Sequence, residues 1–348
     1  MSSDRKTIIV IGAGVLGLTA AISLQKEYAD TRDILLIARD WPSDESIRYT
    51  SPWAGAHGRP IPATTPIARQ HQAFANETHA MMKALSQQEP ACGVEFMDGY
   101  DFIACPSDNY VNLTGGYGDA EGLIVLDKNE FPNDMGITFG SKYRTWSLNS
   151  PVYCTFLLRK FRLRGGKTLK ATLTTAEEAF SRGDYVDTVV NCSGFGFGDP
   201  EAFPVRVSNP CDRTITQQNP DGTWTFIIPR PLDGGTVIGG TREPHDWTET
   251  ARPETRAKVL EMAAKMYPPI LGPGGKFNVI RDIVGRRPAR VSGLRLETEF
   301  LKGHFRGKRI IHAYGAEGHG YGLSWGVARE VVRMALEAES SVAVRPSL

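Results

Sequence analysis

The stretch VIGAGVLG at residues 10–17 decides the fold of this chain. Residues 7–11 are mostly β-branched and apolar, which predicts a buried strand, and residues 16–28 are rich in helix formers. Residues 34–37 are again apolar and predict a second buried strand. The three glycines of the stretch therefore lie in the turn between the first strand and the helix of a βαβ unit.

The G-x-G-x-x-G spacing gives each of these glycines a physical task. Gly12 permits a tight turn, Gly14 lets the backbone approach a pyrophosphate, and Gly17 lets the helix pack closely against the strand. The N–H groups and the dipole of the helix then receive the phosphates. Arg39 and Asp40 follow the second strand, where contacts to a ribose or an adenine are expected. The pattern predicts a dinucleotide site, and the alternative is a glycine-rich turn without a ligand.

Length and composition exclude several classes of protein. The chain has 348 residues, enough for two domains or one large one, and its 40 basic residues nearly balance its 39 acidic ones. This balance argues against a nucleic-acid or anionic-membrane partner. Residues 8–24 are nearly uncharged but too short for a membrane span of about 20 residues. The five cysteines never form C-x-x-C, so neither a disulfide framework nor a metal site is expected, and a reducing compartment fits best.

The remaining patterns predict further helices and strands and one long irregular region. Residues 68–85 favour a helix, and the Gly-, Asp- and Asn-rich stretch that follows, to about residue 149, is expected to be irregular. Two β-rich runs, residues 223–228 and 236–240, predict a hairpin. The other predicted elements are helices at 151–164, 176–180, about 259–266 and 324–336, and strands at 188–192 and 309–312.

Five segments together resemble one known family. They are VIGAGVLG at residues 10–17, TSPWAGA at 50–56, NCSG at 191–194, VGRRPAR at 284–290, and IIHAYG at 310–315 with the glycines and alanine that follow it. This combination resembles the FAD-dependent D-amino-acid oxidases, a family that includes the D-aspartate oxidases. The similarity spans most of the chain, and the C-terminal segment is its most specific part.

The resemblance implies an α/β fold in which a Rossmann-like FAD-binding domain is interleaved with a mixed-sheet α+β substrate domain. The FAD-binding domain is expected at residues 1–75, 150–200 and 280–348, and the substrate domain at 76–149 and 201–279. The implied reaction oxidises a D-amino acid with O₂ to a 2-oxo acid, ammonia and H₂O₂, by hydride transfer to flavin N5. No catalytic side chain is expected, because the protein mainly orients the substrate against the cofactor.

The resemblance also implies which residues bind the cofactor. The expected FAD-binding residues are Gly12, Gly14, Val15, Gly17, Arg39, Asp40, Thr50, Ser51, Ala54, Gly55, Ser193, Gly194, Gly315, Gly318, Gly320 and Tyr321.

The expected substrate-binding residues are Arg287, Arg242, His57, Phe226 and Gly318. Arg287 matches the family's carboxylate-binding arginine, a role that suits a guanidinium fork. Phe226 and Arg242 stand where the enzymes for neutral substrates carry tyrosines, and Arg242 follows Gly-Gly-Thr as in D-aspartate oxidases. Two arginines fit a dicarboxylate substrate, such as D-aspartate, better than a single carboxylate. His57 is a further donor to the side-chain carboxylate or, alternatively, a neutral structural histidine.

The sequence differs from the family pattern at three places. Arg286 takes a position that is usually apolar, about five residues are absent after Arg206, and Glu317 replaces a small residue. An acidic side chain beside a dicarboxylate would oppose its binding unless the carboxylate were paired.

Other functions and several properties stay open at this stage. A D-amino-acid oxidase for neutral substrates, an NAD-dependent dehydrogenase and a non-enzymatic nucleotide-binding module are the alternatives. Residues 345–348, RPSL, lack the S-K-L address, so a peroxisomal location rests on the resemblance, and a cytoplasmic one is the alternative. The sequence is compatible with a homo-oligomer and does not specify one.

Overall fold

The computed structural model describes residues 5–205, 214–241, 243 and 245–343. The chain divides into two compact units, each built from separate segments. Unit 1 comprises Met1–Pro52, Cys154–Phe203 and Arg287–Leu348, and unit 2 comprises Trp53–Tyr153 and Pro204–Arg286. Arg242, the apparent gap after Arg206 and the C-terminal RPSL lie outside the described residues.

Fifteen strands and six α-helices are assigned within the described residues. The strands are β1 (Lys6–Ile11), β2 (Arg32–Ala38), β3 (Ala56–His57), β4 (Val94–Ile103), β5 (Ile124–Val125), β6 (Phe139–Leu148), β7 (Lys167–Lys170), β8 (Val186–Asn191), β9 (Ala202–Val205), β10 (Thr214–Gln218), β11 (Trp224–Pro229), β12 (Thr236–Gly239), β13 (Arg287–Arg290), β14 (Arg295–Phe300) and β15 (Arg309–Tyr314). The helices are α1 (Val15–Glu27), α2 (Pro66–Gln88), α3 (Asp108–Val111), α4 (Ser150–Leu163), α5 (Pro253–Met266) and α6 (Gly320–Ala343).

Unit 1 is a Rossmann-like sheet with the order β14-β15-β8-β1-β2-β7. All its neighbouring strands are parallel except β14 and β15. Ile8, Ile9 and Val10 of β1 are completely buried, as a central parallel strand covered on both faces requires. Helix α1 packs against α6, and the Thr19 hydroxyl donates to the Ser324 carbonyl at 3.1 Å. These contacts hold the glycine turn beside the start of the C-terminal helix.

Unit 2 is built on a mixed sheet with the order β12-β11-β10-β4-β6-β3, and β5 pairs with β6. Strands β10 and β4 run parallel, and the other pairs are antiparallel. One face of this sheet is apolar and packs against α5. Its core includes Phe102, Ile215, Ile227, Ile238, Val259, Ala263 and Met266.

The opposite face of the same sheet carries polar and aromatic side chains. Side chains alternate along a strand, so the residues next to those of the apolar core point the other way. The strand register places Thr216 between Asp101 and Phe226. We call this surface the polar face, defined by Asp101, Thr214, Thr216, Trp224 and Phe226.

The structure confirms the predicted α/β class with a mixed-sheet unit, the hairpin of β11 and β12, and the helices α5 and α6. The expected irregular region after residue 85 is wrong, because β4 and β6 are ten-residue strands within it. Gly99 and Asp101 obscure β4 in the sequence, since neither residue favours a strand. The first expected domain boundary, at residue 75, lies inside α2, which belongs to unit 2.

No helix among the described residues has the length and apolarity to cross a membrane. The same residues contain no cluster of three or more His, Cys, Asp or Glu side chains arranged to hold a metal ion.

Candidate active site

The glycine turn of unit 1 is too tightly packed for side chains. Gly12 has a φ of +99°, its N–H donates to the Ile37 carbonyl at 2.8 Å, and a Cβ there would lie 2.4 Å from the Cys192 carbonyl oxygen. A Cβ at Gly17 would lie 1.8 Å from the Gly12 carbonyl oxygen. Backbone atoms cannot move aside easily, so both positions require glycine. The turn therefore has the close strand-to-helix approach of a dinucleotide site.

The start of α1 presents backbone donors rather than side chains. Gly14 is the N-cap and offers no side-chain cap, and the first turn contains no acidic residue. The Val15 N–H donates to the Ser51 Oγ at 3.0 Å, and the buried Tyr49 hydroxyl donates to the Ala13 carbonyl at 2.6 Å. An uncapped helix N-terminus with its positive dipole end is suited to phosphate.

The C-terminal segment contacts this turn through Tyr321. The Tyr321 hydroxyl donates to the Ser51 carbonyl at 2.8 Å, and a Cβ at Gly320 would lie 3.7 Å from Val15 Cγ1. Thus Val15, Ser51, Gly320 and Tyr321, four of the residues expected to bind the cofactor, lie together. The buried Cys154 Sγ lies 3.1 Å from the Tyr321 hydroxyl, and burial raises the pKa of this thiol to about 12.

The exit of β8 adds a buried hydroxyl to the same region. The Cys192 N–H donates to the Ile11 carbonyl at 2.9 Å, so this exit runs beside the glycine turn. Ser193 donates its N–H to the Asn191 side chain at 3.1 Å, but its Oγ is buried and has no hydrogen-bond partner among the described residues. A buried polar atom without a partner is costly, which indicates that a bound polar group satisfies it. Gly194 follows with a φ of +82°.

Arg39 and Asp40 lie just beyond the end of β2, as predicted for ribose or adenine contacts. Arg39 Nε is 2.7 Å from Asp40 Oδ2, so part of the carboxylate is already engaged. The Arg39 side chain is 44% exposed and that of Asp40 is 17% exposed.

The other residues expected to contact the cofactor are divided between the units. Thr50 belongs to unit 1, whereas Ala54 and Gly55 belong to unit 2. The Ala54 carbonyl accepts from Arg230 Nη2 at 3.0 Å, and a Cβ at Gly55 would lie 2.9 Å from Val237. In unit 1, Gly315 has a φ of +81°, which favours glycine.

Arg287 begins β13 in unit 1 and is partly buried. A Cβ at Gly318 would lie 3.9 Å from the Arg287 side chain, so the two expected substrate residues of this unit lie together. Glu317, next to that glycine, has a φ of +47°, a left-handed conformation that is uncommon for residues other than glycine. Arg286 belongs to unit 2, where its guanidinium contacts the Trp247 carbonyl and lies 3.3 Å from Glu249.

His57 and Phe226 both belong to unit 2. The Nδ1 of His57 is hydrogen-bonded to the Thr214 hydroxyl on the polar face. Burial, with the nearby positive charge of Arg59, lowers the pKa of His57 to about 3. His57 is therefore neutral near pH 7 and can exchange hydrogen bonds without carrying a charge. Phe226, on β11, is partly buried and lies beside Thr216.

This shifted pKa predicts acid sensitivity that depends on His57. Between pH 6.5 and about pH 3, His57 is protonated in the unfolded chain but stays neutral in the folded chain. The free energy of unfolding therefore decreases as the pH falls through this range. We expect the slope attributable to His57 to reach at most about 1.4 kcal/mol per pH unit. Urea unfolding of the parent and His57→Gln at several pH values tests this, and equal slopes in the two proteins would contradict it.

Sequence reasoning missed the buried ion pair between Arg59 and Asp101. Arg59 Nε lies 3.0 and 3.2 Å from the two oxygens of Asp101, which is completely buried. The Tyr143 hydroxyl also donates to Asp101, at 3.1 Å. Although burial alone would lower the pKa of Arg59, the Asp101 charge raises it above the ordinary value, so Arg59 stays a cation. The only sequence signal was the position of Arg59 two residues after His57.

Comparisons with known proteins identify the family of this chain. The family described as FAD dependent oxidoreductase matches residues 7–334. A D-aspartate oxidase from Talaromyces thermophilus is 39% identical over 361 residues, covering 96% of each chain. A D-amino-acid oxidase from Schizosaccharomyces pombe is 30% identical, covering 97% of this chain and 98% of that protein. The crystal structure of glycine oxidase from Geobacillus kaustophilus has a TM-score of 0.71 and 17% identity, covering 96% and 95% of the chains.

The glycine turn, the uncapped helix and the unsatisfied Ser193 hydroxyl fit a bound dinucleotide, and the chain belongs to the FAD-dependent oxidoreductase family. FAD is its cofactor, which decides against the nicotinamide alternative. The likeness to glycine oxidase, at 17% identity, shows the fold alone.

Proposed function

We propose that this protein is a D-aspartate oxidase, which converts an acidic D-amino acid, O₂ and water to the 2-oxo acid, ammonia and H₂O₂. The observation that carries the proposal is the 39% identity to a D-aspartate oxidase along 96% of each chain. When bound, FAD supplies the hydride acceptor, its N5 atom. The chain's own residues then bind the substrate, orient its Cα–H bond and exclude competing reactions.

The proposed cofactor site is built mainly from unit 1. The helix N-terminus behind Gly14 holds the pyrophosphate, and Asp40 with Arg39 contacts the ribose or adenine. The Ser193 hydroxyl, which is buried and has no partner among the described residues, would hydrogen-bond to the cofactor. The other residues that match the family pattern, Ala54 and Gly55 among them, are proposed as further cofactor-binding residues.

Removal of the Ser193 hydroxyl tests that contact. Ser193→Ala is expected to weaken FAD binding about fivefold, because one hydrogen bond contributes about 1 kcal/mol. The dissociation constant is measured by titrating apoprotein with FAD. Thermal unfolding of the apoprotein is the control and should be unchanged or slightly improved, since the hydroxyl has no partner among the described side chains. An unchanged dissociation constant would remove Ser193 from the site.

Arg287 is the proposed ligand of the substrate α-carboxylate. Its fork can form two parallel charge-assisted hydrogen bonds, which fix the orientation of Cα as well as its position. Gly318 leaves space beside this guanidinium, since a Cβ there would come within 3.9 Å of it. Arg242 is proposed as a second cation for the distal carboxylate, on the strength of its sequence motif.

Neutral His57 fits a donor role in one tautomer. If the Thr214 hydroxyl donates to Nδ1, the proton of the ring lies on Nε2, which can then donate to a substrate oxygen. Phe226 supplies an apolar wall where the enzymes for neutral substrates carry a tyrosine.

Anaerobic mixing of the flavoprotein with D-aspartate, L-aspartate and D-alanine tests the proposal. Bleaching of the flavin absorbance should be much faster with D-aspartate than with D-alanine, and absent with L-aspartate. Faster bleaching by D-alanine would favour the second candidate, an oxidase of neutral D-amino acids, which the likeness to the Schizosaccharomyces pombe enzyme supports. No bleaching by any D-amino acid would reject both.

We also propose a peroxisomal location, because the H₂O₂ product suits that compartment. The cytoplasm is the alternative. The expected partners in either place are small molecules, a D-amino acid and O₂.

A further inference from the structure

Arg59 crosses the polar face of unit 2 with part of its guanidinium uncommitted. Arg59 is hydrogen-bonded to Asp101 through Nε alone, and its Nη2 lies 3.3 Å from the Tyr110 hydroxyl. The guanidinium lies over the Trp224 ring, 4.4 Å from its centroid. Nη1 makes no hydrogen bond to any described residue, yet the side chain as a whole is only 14% exposed. Nη1, and the second N–H of Nη2 beside it, are therefore available to a ligand.

The surroundings of Arg59 hold it in one orientation. Asp101 is completely buried and receives hydrogen bonds from Arg59 and Tyr143, with the Tyr117 hydroxyl at 3.4 Å. Burial, followed by the Asp101 charge, raises the pKa of both tyrosines, so they remain donors. A carboxylate on Nε and an aromatic ring against the guanidinium plane leave little rotational freedom. Such a preorganised fork loses little entropy when it binds a second carboxylate.

The same face carries the residues matched to substrate binding in this unit. His57 is hydrogen-bonded to Thr214, two residues before Thr216 on β10. Phe226 is the cross-strand partner of Thr216 on β11. The Thr216 hydroxyl is itself buried and lacks a partner among the described residues. Burying an unpaired hydroxyl costs free energy, whereas a valine of the same shape would avoid that cost. Packing alone therefore does not account for a threonine at this position.

We propose that Arg59, oriented by Asp101 and Trp224, binds the distal carboxylate of the substrate and so contributes to the preference for acidic D-amino acids. This inference rests on the proposed function. Arg59 is the binding residue, and Asp101 is a positioning residue that acts through it. The paired Asp101 also lowers the net charge of the site, so that selectivity comes from directed hydrogen bonds as well as from charge.

Removing the pair as a unit tests the proposal. Arg59→Met with Asp101→Asn eliminates both charges together, because removal of Arg59 alone would leave an unpaired buried carboxylate. We expect the ratio of kcat/KM for D-aspartate to that for D-alanine to fall about tenfold or more, the loss typical of a hydrogen bond to a charged group. The loss should appear mainly as a raised KM for D-aspartate.

The matched control is the exposed pair of Arg256 and Asp282, also in unit 2. Its Nε to Oδ1 distance is 3.0 Å, equal to that of the buried pair. Arg256→Met with Asp282→Asn should leave the ratio unchanged. Arg59→Lys is a second test, to be used if the buried double variant fails to fold. Lysine keeps the positive charge but lacks the planar fork of arginine. This variant should also lower the ratio of kcat/KM for D-aspartate to that for D-alanine about tenfold.

Two results overturn the inference, and they differ from each other. A parent enzyme that oxidises D-aspartate faster than D-alanine, together with an unchanged ratio in folded Arg59→Lys, removes Arg59 from recognition and leaves the proposed function intact. A parent enzyme without preference for D-aspartate overturns both the inference and the proposed function.

Discussion

Replacing Arg287 by leucine is expected to lower kcat/KM about a hundredfold or more for every D-amino acid, acidic or neutral. All these substrates share the α-carboxylate, and loss of its partner leaves a desolvated charge unpaired, which costs about 2–5 kcal/mol. Because the fork also orients Cα–H against the cofactor, the loss should appear in kcat as well as in KM. Steady-state oxygen consumption with D-aspartate and D-alanine measures both constants.

The neighbouring arginine provides the control for this prediction. Arg286→Leu removes a cation one position away that contacts Trp247 and Glu249 of unit 2. It should lower the melting temperature, because the side chain is only 7% exposed, while kcat/KM per bound FAD stays close to that of the parent. Full activity in folded Arg287→Leu would rule out its carboxylate role.

Replacing Arg242 by leucine is expected to separate acidic from neutral substrates. The Gly-Gly-Thr-Arg motif is the basis of this prediction, since Arg242 lies outside the described residues. We expect a loss of about 2 kcal/mol or more in transition-state stabilisation for D-aspartate, because its second carboxylate would lose a charged hydrogen-bond partner, and little change for D-alanine. The ratio of kcat/KM for the two substrates reports the difference.

Arg252→Leu is a suitable control for that variant. Arg252 pairs with Glu243 at 3.2 Å and with Asp246 at 2.7 Å, and its own side chain is 45% exposed. Exposed pairs of this kind contribute little, so neither substrate should be affected. Equal losses on both substrates in Arg242→Leu would refute its role in recognising the distal carboxylate.

The sequence predicted unit 1 well because its signals are local. A buried apolar strand, a glycine turn and a helix follow one another in residues 7–28, and each glycine is required by backbone contacts that the motif itself implies. The contact of Tyr321 with Ser51 is not local, yet the family resemblance assigned both residues to one site.

Unit 2 was harder to predict because tertiary contacts override its local preferences. Gly99 weakens β4 as a strand, but its missing side chain makes room for Tyr143, whose ring would lie 2.6 Å from a Cβ there. Asp101 likewise disfavours a strand until Arg59, 42 positions earlier in the chain, neutralises it. A lone arginine in a sequence is most simply a surface residue, and only its distant partner reveals it as buried.

The separation of unit 1 into three chain segments has a consequence for synthesis. Strand β1 pairs with residues 186–191 of β8, and β8 in turn pairs with β15 at residues 309–314. At ribosomal speeds of about 5–20 residues per second, roughly tens of seconds pass between the synthesis of the apolar β1 and that of these partner strands. The nascent chain therefore exposes an apolar strand long before the sheet of unit 1 can close, which favours aggregation of the incomplete chain.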